Sequence, residues 1–163
     1  MQLSVTDLER YLSGIGELLE RYGVVLDLEP AAPLVLEESP SGAISFELRG
    51  FLPDGRIPPL SVLEVRERWR RLASSRLERS EYAFELLDHE RAFRRAFHLH
   101  DSEAFIRHFH VVVHEHCERP IGTAPCAHIA GPPLRDAYRG VDLLLAAWTD
   151  PRPPDCAAMT CLD

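Results

Sequence analysis

The stretch FHLHDSEAFIRHFHVVVHEHCERPIGTAPCAHIAG, residues 97 to 131, holds seven of the chain's eight histidines and two of its four cysteines. Imidazole gains and loses a proton near neutral pH and also ligates metals, while thiolate is a soft metal ligand. Three chemistries fit: metal binding, acid–base hydrolysis, or a solvated histidine face that only packs. Alternation along a strand puts His108, His110, His114 and His116 on one face and Val111, Val113, Glu115 and Cys117 on the other. At about 3.3 Å per residue, His108 and His116 are roughly 26 Å apart. The segment therefore offers two histidine pairs, not a single four-histidine site.

A zinc ion takes three protein ligands with an open position for catalysis, or four in a closed structural site. His114, His116, Cys117, Cys126 and His128 supply the donors, although their spacing is not that of a finger or ribbon. Metal-free cleavage of RNA instead needs a base and an acid near neutral pH, with a cation offsetting the charge of the transition state. His98 or His100 paired with His114 or His116 fills the first two roles, and Arg94, Arg95, Arg107 or Arg119 the third. A hairpin through residues 101 to 106 would also bring His98 and His100 beside His108 and His110. No GxSxG, GxxxxGK[ST] or GxGxxG occurs, which removes the serine-hydrolase elbow and the phosphate-cradling loops.

Something must hold these residues in place, and the chain has the means. With 163 residues, 45% of them hydrophobic and 27% charged, it fits one domain with a true core. The net charge of -8 is uneven: residues 1 to 55 carry ten acids against three arginines, the rest sixteen against fifteen. All eighteen basic residues are arginine, nine of them between Arg66 and Arg95, where glutamates interleave with them. Such a stretch reads either as a face for phosphate or as paired surface charge. No run reaches the roughly 20 apolar residues of a membrane span, and the first residues lack a signal pattern, so a cytoplasmic protein is expected.

The elements follow from periodicity. Thr6 and Glu9 form a capping box ahead of an apolar repeat at Leu8, Tyr11, Leu12, Ile15, Leu18, Leu19 and Tyr22, predicting a helix over 6–22 stopped at Gly23. Short β-prone runs VVLDLE, LVLEE and AISFELRGFL come next, then LSVLEVRERW, SEYAFELLD, RAFRRAFHLHD and FIRHFHVVVHEHC as longer strands. A last helical stripe of Leu134, Ala137, Tyr138, Val141, Leu144, Leu145 and Trp148 has Gly140 on its opposite side. The expected fold is α+β: an N-terminal helix, an antiparallel sheet of about five to six strands and a C-terminal amphipathic helix packed on it. One domain spans residues 1–149, with 150–163 as a disordered tail.

The order SFELRGFLPDGRIPPLSVLEVRERW, SEYAFELLD, RAFRRAFHLHD, a His-rich strand and a terminal amphipathic helix, over about residues 44 to 148, resembles the TumE-type toxin family of prokaryotic toxin–antitoxin modules. The resemblance implies a growth-blocking toxin acting through RNA, with a cognate antitoxin as partner, and points to Glu64, Tyr82, Arg95, His98, His100, His114 and His116. The expected function is RNA cleavage by a His/Arg sheet face. In that reading His98, His100, His114, His116 and Arg95 are catalytic, and Arg94, Arg107, Arg119, Tyr82 and Glu64 bind substrate. The alternative is a zinc protein working through a partner. A third expectation is an interface, antitoxin or homodimer, built from the acidic N-terminal third and the stripe of the last helix.

Overall fold

A computed structural model describes residues 1–26, 34–53, 55, 61–72, 75–89, 93–101, 111–118, 126–129 and 133–149, with side chains left undescribed at 34–36, 93, 100–101, 111–118, 126–129 and 147. The tail at 150–163 and residues 102–110 and 119–125, Arg107, His108, His110 and Arg119 among them, lie outside the described residues. A short strand, β1 (Gln2–Ser4), leads into helix α1 (Val5–Arg21). Its cap is Ser4 rather than Thr6: the Ser4 hydroxyl accepts from the Asp7 amide at 3.1 Å, and Asp7 takes the place expected of Glu9. Gly23 ends the helix at φ 71°, a left-handed conformation that glycine reaches without strain.

Strands β2 (Val25–Leu26), β3 (Leu34–Glu38), β4 (Ile44–Phe51), β5 (Ser61–Arg71), β6 (Arg76–Asp88), β7 (Phe93–Asp101), β8 (Val111–Glu118) and β9 (Cys126–Ile129) follow, and helix α2 (Ala137–Thr149) closes the described chain. The sheet is antiparallel and curled, in the order β2-β4-β5-β6-β7-β8-β9, with β3 also on β4 and β1 on β6. The architecture is therefore α+β, as composition and periodicity predicted. From β3 to β9 each strand pairs antiparallel with the next in the chain, whereas β1 pairs with β6 and β2 with β4.

One face of the sheet carries the core. Phe46, Leu48, Leu63, Val65, Trp69, Leu77, Tyr82, Phe84, Leu86, Phe97 and Leu99 are buried there against Leu8, Tyr11, Ile15, Leu18 and Leu19 of α1 and Ala137, Val141, Leu144 and Leu145 of α2. The stripe of α2 is thus spent on the sheet. Gly140 is not on a solvent side: a Cβ there would lie 2.2 Å from a Phe84 ring carbon, so the missing side chain lets α2 sit directly on β6. Asp136 caps α2 by accepting from the Arg139 amide at 2.9 Å.

Within that core lies a polar latch. Glu67 accepts from Tyr11 Oη at 2.9 Å, Trp69 Nε1 at 3.1 Å and Arg79 at 2.7 Å. Arg79 reaches on to the carbonyls of Leu134 and Arg135, and Tyr11 Oη accepts from the Ala137 amide at 2.7 Å. Burial pushes the Glu67 carboxyl up, and the charge and hydrogen bonds of Arg79 oppose it. The latch joins α1, β5, β6 and the start of α2, and so fixes how the helices lie on the sheet.

Candidate functional site

Among the described residues no helix lies on the opposite face of the sheet, and there the charged residues fall into register. One row crosses four strands as Glu47, Arg66, Ala83 and His98 and continues to His114 on β8. The next row runs Arg49, Glu64, Glu85, Ala96 and His116. Strand alternation decides which residues appear on this face, and the pairing of strands decides which of them meet. Curling turns part of it into a hollow of about 540 Å³ bordered by Glu47, Arg66, Arg68, Glu81, Glu85 and His98.

Glu85 is the centre. Its side chain is only 8% exposed, and its carboxylate takes Arg66 at 2.7 Å, Arg94 at 2.8 Å and His98 Nε2 at 3.1 Å. Burial alone would raise its pKa. The hydrogen bonds from His98 and Arg94, with their charges, outweigh that and bring the carboxyl down to about 2. Glu85 is thus an acceptor at any neutral pH, which makes His98 Nε2 the donor in their contact and leaves the basic lone pair of the neutral ring on Nδ1. A carboxylate that orients an imidazole in this way is the basic unit of general-base catalysis. Two guanidinium groups hold the same carboxylate by charge-assisted hydrogen bonds.

The expected residues distribute as follows. His98 and Arg94 belong to the Glu85 cluster. Glu64 lies next to it, 3.6 Å from Arg49 and 3.9 Å from Arg66. Arg95 is on the helix side of β7, its guanidinium 5.4 Å from the Phe97 ring centre. Tyr82 is also on the core face: it stacks on Phe84 at 4.6 Å, and its hydroxyl accepts from the Leu134 amide at 2.9 Å. Tyr82 nevertheless borders the hollow, and Arg95 does not.

His100, His114, His116, Cys117, Cys126 and His128 are described by their backbone positions only. The register of β7 with β8 pairs His98 with His114 and His100 with Val112, so the partners of β7 come from residues 111 to 118 and not from His108 and His110. On β8 and β9, Cys117 is opposite Cys126 and Glu115 opposite His128. Strand parity thus splits the five metal candidates, His114 and His116 on the face of His98 and the cysteines with His128 on the other, so one ion draws on one subset.

Sequence reasoning missed Glu85 and Arg66. Glu85 stands on a strand face with Ala83 and Leu87, and Arg66 is one of nine clustered arginines; neither carries a local signal. A row count from His98 across the sheet would have found both, but it needs the register. No family model matches this chain, and neither the curated proteins nor the solved structures hold a match to it.

Proposed function

We propose that the hollow cleaves single-stranded RNA, and that the protein is a toxin-like ribonuclease held in check by a cognate antitoxin. The observation that carries the chemistry is the Glu85–His98 pair, flanked at 2.7 and 2.8 Å by Arg66 and Arg94, on the sheet face opposite α1 and α2. His98 takes the proton of a 2′-hydroxyl as its oxygen attacks phosphorus, and the bond from phosphorus to the 5′-oxygen breaks. A second histidine, His114 by its register opposite His98, gives the leaving oxygen its proton. Arg66 and Arg94 offset the charge on the phosphorane-like transition state. Products are a 2′,3′-cyclic phosphate and a free 5′-hydroxyl, so atoms and protons balance.

The toxin part rests on the resemblance to TumE-type toxins, and an antitoxin or a second copy of the chain completes that reading. Neither partner draws on the stripe of α2, which the core uses. The test is cleavage of a labelled RNA oligomer by the purified protein, with growth measured on induced expression. His98→Ala is expected to lower cleavage by about 10²–10⁴-fold and to restore growth. Growth arrest that persists in His98→Ala and Glu85→Gln would sink the proposal.

One observation favours a second reading, zinc. Cys117 and Cys126 are direct register partners, with Glu115 opposite His128 beside them. Metal content of the purified protein, with and without Cys126→Ser, decides it: about one zinc per chain that Cys126→Ser removes supports this reading, and none opposes it.

A further inference from the structure

Cys117 on β8 and Cys126 on β9 are direct register partners in an antiparallel pair, and the same row continues to Arg95 on β7 and Leu86 on β6. Partners of this kind have Cα atoms about 4.5–5.5 Å apart. A disulfide spans about 4.4–6.8 Å between Cα atoms, so the strand pairing by itself brings the two residues to bridging distance.

Their neighbours in the sheet suit sulfur chemistry. Strand parity puts the pair on the helix side with Arg95 and Phe97, away from the face of His98, His114 and His116. Arg95 is the next residue along the row, and a cation beside a cysteine favours the thiolate, the form that attacks a disulfide. Glu115 and His128 fill the adjoining row opposite each other, with His128 two residues along β9 from Cys126. An imidazole at such a position can take up a thiol proton. The proposed cleavage uses none of these residues. Among the described residues β9 also ends the strand order, and its four residues pair only with β8.

We propose that Cys117 and Cys126 are a reversible dithiol–disulfide pair that fastens β9 to β8 when the chain meets a small-molecule disulfide. The Cys117 thiolate attacks one sulfur of an oxidant such as oxidised glutathione, forming a mixed disulfide and releasing one glutathione thiolate. The Cys126 thiolate then attacks Cys117 Sγ, the mixed bond breaks, and the second glutathione leaves. The two protein sulfurs lose two electrons, the oxidant gains them, and the two cysteine protons end on the glutathione thiols. Excess reduced glutathione runs both steps backwards. A zinc ion would need the same two sulfurs as thiolates, so the link and the metal exclude each other. The link goes beyond the cleavage reading and does not depend on it.

The experiment equilibrates the full, unmodified chain with mixtures of reduced and oxidised glutathione, quenches with acid and maps the peptides by mass spectrometry. Expected is a loss of about 2 Da, two hydrogens, from the region holding Cys117 and Cys126, with Cys156 and Cys161 outside the link. The same titration in urea separates strand register from mere closeness in sequence. The folded chain is expected to hold the link at least about tenfold more strongly than the unfolded one, about 30 mV in potential. No link in the folded chain at the most oxidising mixture overturns the proposal, and so does a link no stronger folded than unfolded. Cys126→Ser is expected to accumulate glutathione on Cys117, and a folded variant that takes up none there overturns the order of attack. The titration needs no variant, so it decides the link even where Cys126→Ser misfolds.

Discussion

At the scale of single residues, Glu85 governs the site through charge. Its carboxyl ordinarily titrates near 4.5 and is held at about 2 in the folded protein. A depressed carboxylate stabilises the fold fully above the unfolded value and loses that contribution as pH falls from about 4.5 towards 2. The stake is roughly 3 kcal/mol. Denaturant unfolding at pH 7 and pH 3 is expected to show the unchanged chain losing more stability than Glu85→Gln, which has no carboxylate to titrate. Equal losses would show that the arginines and His98 do not hold the group down. At neutral pH, Glu85→Gln is also expected to leave Arg66, Arg94 and His98 short of their counter-charge, at a cost of about 1–3 kcal/mol.

At the scale of elements, the latch and the close approach of α2 position the sheet from behind. Tyr11 Oη donates to Glu67 and accepts from the Ala137 amide, so Tyr11→Phe leaves a buried carboxylate oxygen and a helix N–H each short of a partner. The expected cost is about 1–3 kcal/mol, with faster hydrogen exchange concentrated in α2. Gly140→Ala sets two effects against each other. Helix propensity favours alanine by about 1 kcal/mol, while overpacking costs about 1–3 kcal/mol. Because the added carbon would lie 2.2 Å from the Phe84 ring, overpacking wins, and a lower melting temperature is expected. An unchanged or higher one would mean that α2 shifts off β6 at no cost.

At the scale of the whole molecule, charge limits how the RNA of the proposed reaction would be held. The chain carries -8, and the arginines of the hollow are matched by Glu64, Glu81 and Glu85. Binding therefore has little surplus positive charge behind it and depends on hydrogen-bond geometry at one link. The logarithm of RNA affinity is expected to fall with the logarithm of salt at a slope of about -0.7 to -1.4, as for one or two phosphate contacts on a single strand. A slope steeper than about -4 in a salt titration would indicate a separate basic surface. Among the described residues no helix is long and apolar enough to cross a membrane.

The sequence by itself determined the elements and the class of fold. The apolar period of α1, the β-branched runs of the strands and the stripe of α2 are local signals that gave the class of fold, but the sheet has nine strands and not five to six, with β1 and β9 unforeseen, and of the strand read over 105–117 the described part is Val111–Glu118. The structure puts Glu67 in the buried phase of Leu63, Val65 and Trp69, where a charge needs a partner inside. The partner was not readable. A bulge between Arg68 and Trp69 on β5 sets Arg68 opposite Glu81 and Trp69 opposite Arg79, skipping Ser80 and shifting the phase of β6, so that Leu77 and Arg79 share the core face with Tyr82 and Phe84. The same dependence on pairing hid the site. His98, Arg94 and Glu64 were visible as residue types, but Arg66 and Glu85 joined them only once strand register was fixed. Register is set by contacts between segments far apart in the chain, whereas periodicity is set by neighbours within it.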